Sequence, residues 1–184
     1  LYSFRGFRYC DLLLADSERA AWRVLSRRAD CSQLAVAQCD EDIAHCLTKC
    51  VEVEQRTQTV FGWRKLPTWR SACDSIVDVA LDHLTLGRVA LHRSILEHSS
   101  FAFRNSEVPS HVGAAVSGLQ RSGRMDIVPF GLLARAWLRV LEGDDAGARD
   151  DLDEAWQIAE RGPMRMHMAD IHLHRARLFF REKP

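Results

Sequence analysis

The sequence predicts an all-α chain: a short right-handed superhelix of antiparallel helix hairpins, about eight helices in all. Three observations carry that expectation. Apolar residues recur at three- and four-residue steps, as in Phe130, Leu133, Ala134, Trp137, Leu138 and Leu141, which is the period of an amphipathic helix. Pro129 and Pro163 stand 34 residues apart and bracket one complete hairpin, broken in the middle by Gly143-Asp144-Asp145. Its second half carries Ala148 and Leu152, and the same small–large pair recurs as Ala115/Leu119, 33 residues earlier, and as Ala21/Leu25.

In chain order, Tyr2 to about Ala15 reads as helix one, and Asp16-Ser17 as the cap of helix two, which ends near Arg28. Ser32 to Val60 reads as one long helix with the stripe Val36, Cys39, Ile43, Cys46, Cys50, Val53, Thr57 and Val60. Phe61 to Trp69 reads as a loop, marked by Gly62 and Pro67 and carrying the aromatics Phe61, Trp63 and Trp69. The next helix, Ser71 to about Leu96, should pair antiparallel with the Ser32–Val60 helix. A polar loop over Ser99–Pro109 leads to a helix from about Ser110 to Arg121, closed by Ser122-Gly123. The central hairpin follows, and Gly162-Pro163 opens a last helix to about Arg181. Ile171, Leu173, Leu178, Phe179 and Phe180 on that last helix call for a covering helix or a subunit contact, so self-association through it is expected.

The hairpin residues resemble the tetratricopeptide repeat. That family places an aromatic, Leu-Gly and a second aromatic on helix A, then Ala and a large residue four later on helix B. Phe130, Leu133-Ala134, Trp137, Ala148 and Leu152 match it. Leu86-Gly87 with Ala90, and Gly6 with Tyr9, are degraded copies. The stretches 80–88 (ALDHLTLGR) and 131–136 (GLLARA) also resemble the sensor repeats of bacterial signal-transducing multidomain NTPases. The resemblance implies one helical-repeat domain over residues 1–184, a fragment of a longer protein, in which repeats sense a partner and regulate a separate effector domain.

Composition narrows the function classes. Hydrophobic residues make up 47% of the 184, and 25 basic residues balance 25 acidic ones. A dominant nucleic-acid footprint needs a basic excess and is not expected. No apolar run reaches membrane-spanning length. The six cysteines read as reduced: Cys39, Cys46 and Cys50 share one helix stripe, and residues on one face do not favour mutual disulfides. A cytoplasmic setting follows. A zinc site of Cys46, Cys50 and His45 is disfavoured because His45 points about 100° from Cys46 on an ideal helix.

No catalytic residue, cofactor or metal is expected. The ten glycines form no phosphate loop, and no Gly-x-Ser-x-Gly elbow occurs. The densest set of potential ligands is His167, Asp170, His172 and His174. A metal-dependent hydrolase using Asp170, His174 and His167 is the alternative reading. Against it, His167 and His174 lie about 10.5 Å apart along a helix axis.

The preferred function is a non-catalytic interaction or ligand-sensing module that binds a protein or peptide on its concave face. In the repeat register the inner face of successive A helices presents Phe7/Asp11, Arg88/His92, Arg135/Arg139 and Asp170/His174. The two middle pairs form a cationic column, so the expected partner is an acidic peptide, or a carboxylate or phosphate ligand gripped at Arg135. The plainer expectation is that carboxylates such as Asp82 or Asp126 neutralise the column.

Overall fold

The structure is a computed structural model describing residues 3–30, 39–66, 75–97 and 107–179. Among these residues it is all-helical, with α1 (Ser3–Asp30), α2 (Cys39–Arg64), α3 (Ile76–Leu96), α4 (Val108–Arg121), α5 (Val128–Glu142), α6 (Asp145–Arg161) and α7 (Arg165–Phe179). No helix among them is long and apolar enough to cross a membrane.

The expected break at Asp16-Ser17 is absent: α1 is continuous. Ser17 is fully buried in mid-helix, and its hydroxyl donates to the Cys46 carbonyl of α2 at 3.1 Å. The neighbouring helix thus satisfies the side chain that would otherwise cap a helix start. Phe7, Leu14 and Ala21, seven residues apart, lie buried along α1.

The α2 stripe is as expected where it is described, with Cys46, Cys50, Val53, Thr57 and Val60 buried. The helix runs on through Arg64, so Phe61 and Trp63 are helical, not in a loop. Phe61 packs edge-on against His83 at 5.1 Å, which gives it a reason to stay on the helix. The expected helix starts at Ser32 and Ser71, the loop residues Trp69, Phe101 and Phe103, and Phe180 lie outside the described residues. Of α3, the part from Ile76 is described; Ser75 caps it by accepting from the Asp78 backbone N–H.

Contacts fix the helix directions. Tyr9 faces Arg56 and Ser17 faces Cys46, so α1 and α2 are antiparallel. Arg64 meets Asp82, and Arg93 meets Glu54, so α2 and α3 are antiparallel, as expected. The close α3–α4 pair depends on small residues: a Cβ on Gly118 would lie 2.7 Å from Ala80 Cβ, and one on Gly87 would lie 2.8 Å from Val112 Cγ2. In the central hairpin, Pro129 sits in the first turn of α5 and Gly143 (φ 85°) ends it in the left-handed region. Asp144 then caps α6 by accepting from Gly147 N–H. Ala134, Ala148 and Ala155 are all buried.

On α7 Ile171 is buried, while Leu178 and Phe179 are partly covered. Leu173 remains 44% exposed. The main core runs through α3, α4, α5 and α6 and takes in Phe7 and Ile171 from the two end helices. Consequently α1, α3, α5 and α7 run in one direction, and α1 crosses toward α5 through Phe7–Phe130 and Trp22–Trp137.

Candidate functional site

Four helices enclose a cleft of about 220 Å³. Its floor is apolar, from Leu91 of α3 and Leu133, Ala134 and Trp137 of α5. Polar groups rim it: Arg8, Asp11 and Glu18 from α1, Arg88 from α3, and Asp170, His174 and Arg177 from α7.

Arg88 is the pivot. Its Nη1 donates to Asp11 Oδ1 at 2.6 Å, and its Nη2 to Glu18 Oε2 at 2.9 Å. Asp11 and Glu18 are seven residues apart, so one uninterrupted α1 presents both carboxylates to one guanidinium. Burial works against charge at Glu18, yet the groups around it, Arg88 foremost and with it His92 and His174, together hold that carboxyl below its ordinary value. Burial likewise works against the Arg88 cation, but Asp11 and Glu18 more than offset it. Arg8 approaches Asp11 at 3.6 Å, and Arg177 approaches Glu18 at 3.6 Å.

On the opposite wall, His174 uses Nδ1 against the Asp170 backbone carbonyl at 3.0 Å. A carbonyl only accepts, so Nδ1 carries the proton. Burial depresses the His174 pKa, and the ring is neutral with Nε2 as an acceptor. Burial raises the Asp170 carboxyl.

The predicted inner-face residues divide among three environments. Asp11, Arg88, Asp170 and His174 come together at the cleft, and Phe7 packs beside it on Phe130. His92 does not reach any surface: it is 0% exposed, lies 5.5 Å from the Trp137 ring and has neither ring nitrogen hydrogen-bonded. Burial, with Arg88 nearby, pushes its pKa down to about 3. Arg135 and Arg139 turn to their own hairpin partner. Arg135 grips buried Asp151 with Nε at 3.0–3.1 Å and Nη2 at 2.6 Å. Arg139 donates to the Gly147 carbonyl at 2.6 Å and lies 3.1 Å from Asp151 Oδ1.

The cationic column is therefore dissolved from within, and by other carboxylates than expected. Asp82 serves Arg64, and Asp126 serves Arg124. Glu18, Arg8, Arg177 and Asp151 are the participants that sequence reasoning missed. Glu18 was legible as the i+7 neighbour of Asp11, but the break expected at Asp16-Ser17 placed it on another helix.

The set His167, Asp170 and His174 does not assemble. His167 Nε2 engages the Asp126 carbonyl at 2.9 Å, and no group of three His, Cys, Asp or Glu among the described residues could hold a metal ion. His172 packs on Trp156 instead. The Cys46/Cys50/His45 set fails likewise: Cys46 and Cys50 are buried free thiols, and His45 is exposed. Burial raises the Cys50 thiol pKa to about 11. One pair unforeseen in the sequence joins α3 to α4, His83 Nδ1 to His111 Nδ1 at 2.8 Å, a contact that requires one shared proton. Compared with protein-family models, curated proteins and solved structures, the chain matches none.

Proposed function

We propose that the chain is a non-catalytic interaction or ligand-sensing module of a larger cytoplasmic signalling protein. Its hairpins stack as a tetratricopeptide-like right-handed superhelix, and a protein or peptide partner docks on the concave face. The observation that carries this reading is the cleft between α1, α3, α5 and α7, with an apolar floor and a charged rim. Pockets with apolar linings and a few placed polar groups are the usual form of recognition sites. Most of the rim charges are held in salt bridges, a preorganised arrangement suited to recognition. Arg135 and Arg139, tied to Asp151, leave the binding set and act as a lock on the α5–α6 hairpin.

The test is selection of peptides from a random library on the immobilised chain. Leu173→Trp narrows the cleft from its exposed wall. Recovered peptides should bind this variant at least tenfold more weakly, with the unfolding midpoint unchanged. Equal binding to both proteins, or no recovered peptide, sinks the reading.

A further inference from the structure

The cleft is chemically lopsided. Its arginines are all committed: Arg8 and Arg88 to Asp11, and Arg88 and Arg177 to Glu18. The α7 wall is the reverse. Asp170 lines the cleft with no side-chain hydrogen bond or ion pair to any described residue. His174, one turn on, directs Nδ1–H to a backbone carbonyl, which leaves Nε2 as a second acceptor without a hydrogen-bond partner among the described residues. Asp170 and His174 therefore bring two acceptors to the apolar floor, while the α7 cation beside them, Arg177, faces Glu18.

We propose that this corner binds the basic side chain, guanidinium or ammonium, of a peptide partner. Asp170 takes its charge, and His174 Nε2 takes a further N–H. The inference rests on the interaction-module reading above, and it inverts the acidic partner expected from the sequence. Cleft size selects the occupant. At about 220 Å³ it falls below the roughly 300–1,000 Å³ of small-molecule pockets, so it holds one side chain rather than a cofactor. Leu91, Leu133 and Trp137 can cover the methylene stem of Arg or Lys, which packs on apolar surface while its head stays polar. Burial raises the Asp170 carboxyl, and a cation seated beside it would offset that.

The experiment titrates the whole chain with three blocked tripeptides, acetyl-Ala-X-Ala-amide, where X is arginine, citrulline or glutamate. Indole fluorescence is the readout, since Trp137 forms part of the floor. Citrulline keeps the shape of arginine and removes its charge. The arginine peptide should bind at least tenfold more tightly than the citrulline one, and the glutamate peptide should not bind. Asp170→Asn should abolish that tenfold preference, and His174→Gln should weaken arginine binding severalfold, with urea midpoints near wild type. Citrulline binding as tightly as arginine, preferred binding of glutamate, no binding of the arginine peptide, or an unaltered preference in Asp170→Asn would overturn the inference. If library peptides still lose binding on Leu173→Trp, the interaction module stands and the basic side chain alone fails.

Discussion

Arg88 shows how one side chain can organise an interior. It is 14% exposed, and its two carboxylate partners are 25–30% exposed, so the cluster lies between the surface and fully buried limits. Removing one partner of a buried pair costs about 3–5 kcal/mol, and the residual solvation reduces that here. Arg88→Met should destabilise the chain by about 2–3 kcal/mol, read as a fall in urea midpoint. Because the folded Glu18 carboxyl sits below its ordinary value of 4.5, its contribution is full above that pH. It is lost as pH falls through the lowered folded value, so the deficit of Arg88→Met should shrink in acid. His92 makes the opposite point. Its ring is buried with both nitrogens unpaired, so the unfolded chain binds the proton that the folded one refuses. Stability is whole above the ordinary 6.5 and falls toward the folded value of about 3. His92→Leu should match or exceed wild-type stability at neutral pH, because an apolar group replaces unpaired polar atoms. It should also flatten the decline between about pH 6.5 and 4.5. An unchanged acid slope would show that His92 is hydrated in the folded state.

At the scale of the helix, periodicity was a good guide and local break signals were a poor one. Ser17 looks like a cap in isolation, and only the α2 carbonyl that it meets reveals a helix interior. Gly62 looks like a breaker, yet α2 passes through it, because packing of Phe61 on His83 outweighs glycine's modest helix cost of about 1 kcal/mol. Glycines on α4 separate propensity from packing. Gly113 has nothing within 4 Å of a would-be Cβ, whereas Gly118 has Ala80 Cβ at 2.7 Å. Gly113→Ala should therefore stabilise by about 0.5–1 kcal/mol through helix propensity. Gly118→Ala should destabilise by about 1–3 kcal/mol, since overpacking exceeds the same gain. Thermal midpoints moving in opposite directions check both. A shared direction would mean that the α3–α4 spacing is set by something other than Gly118.

For the whole molecule, the consequential feature is α1, and it was the least legible. Counting from each motif glycine or alanine reaches Asp11, Arg88, Asp170 and His174. Counting along one helix cannot say which carboxylate another helix will bring, so Asp151 for Arg135 and Glu18 for Arg88 were out of reach. Nor does a nearest-neighbour stack of hairpins anticipate that α1 touches α5 and α7. Trp22 stacks on Trp137 with ring centroids 3.9 Å apart, meets His174 edge-on at 5.8 Å and lies under Arg177 at 5.1 Å. In a simple solenoid each unit contacts only its neighbours, and stability is close to a sum of local terms. Here one side chain ties the first helix to the fifth and seventh, so the two ends of the chain should unfold together. Indole fluorescence and far-ultraviolet circular dichroism should trace a single coincident urea transition in the wild type. Trp22→Ala removes the stack and leaves a cavity, at a cost of about 3–5 kcal/mol. It should also part the two probes, because α5–α7 keep their own hairpin contacts while their tie to α1 is reduced to Phe7–Phe130 and Glu18–Arg177. A midpoint within error of wild type would show that Trp22 lies on the surface rather than between helices. A large loss with both probes still coincident would instead place the coupling in the α4–α5 contact.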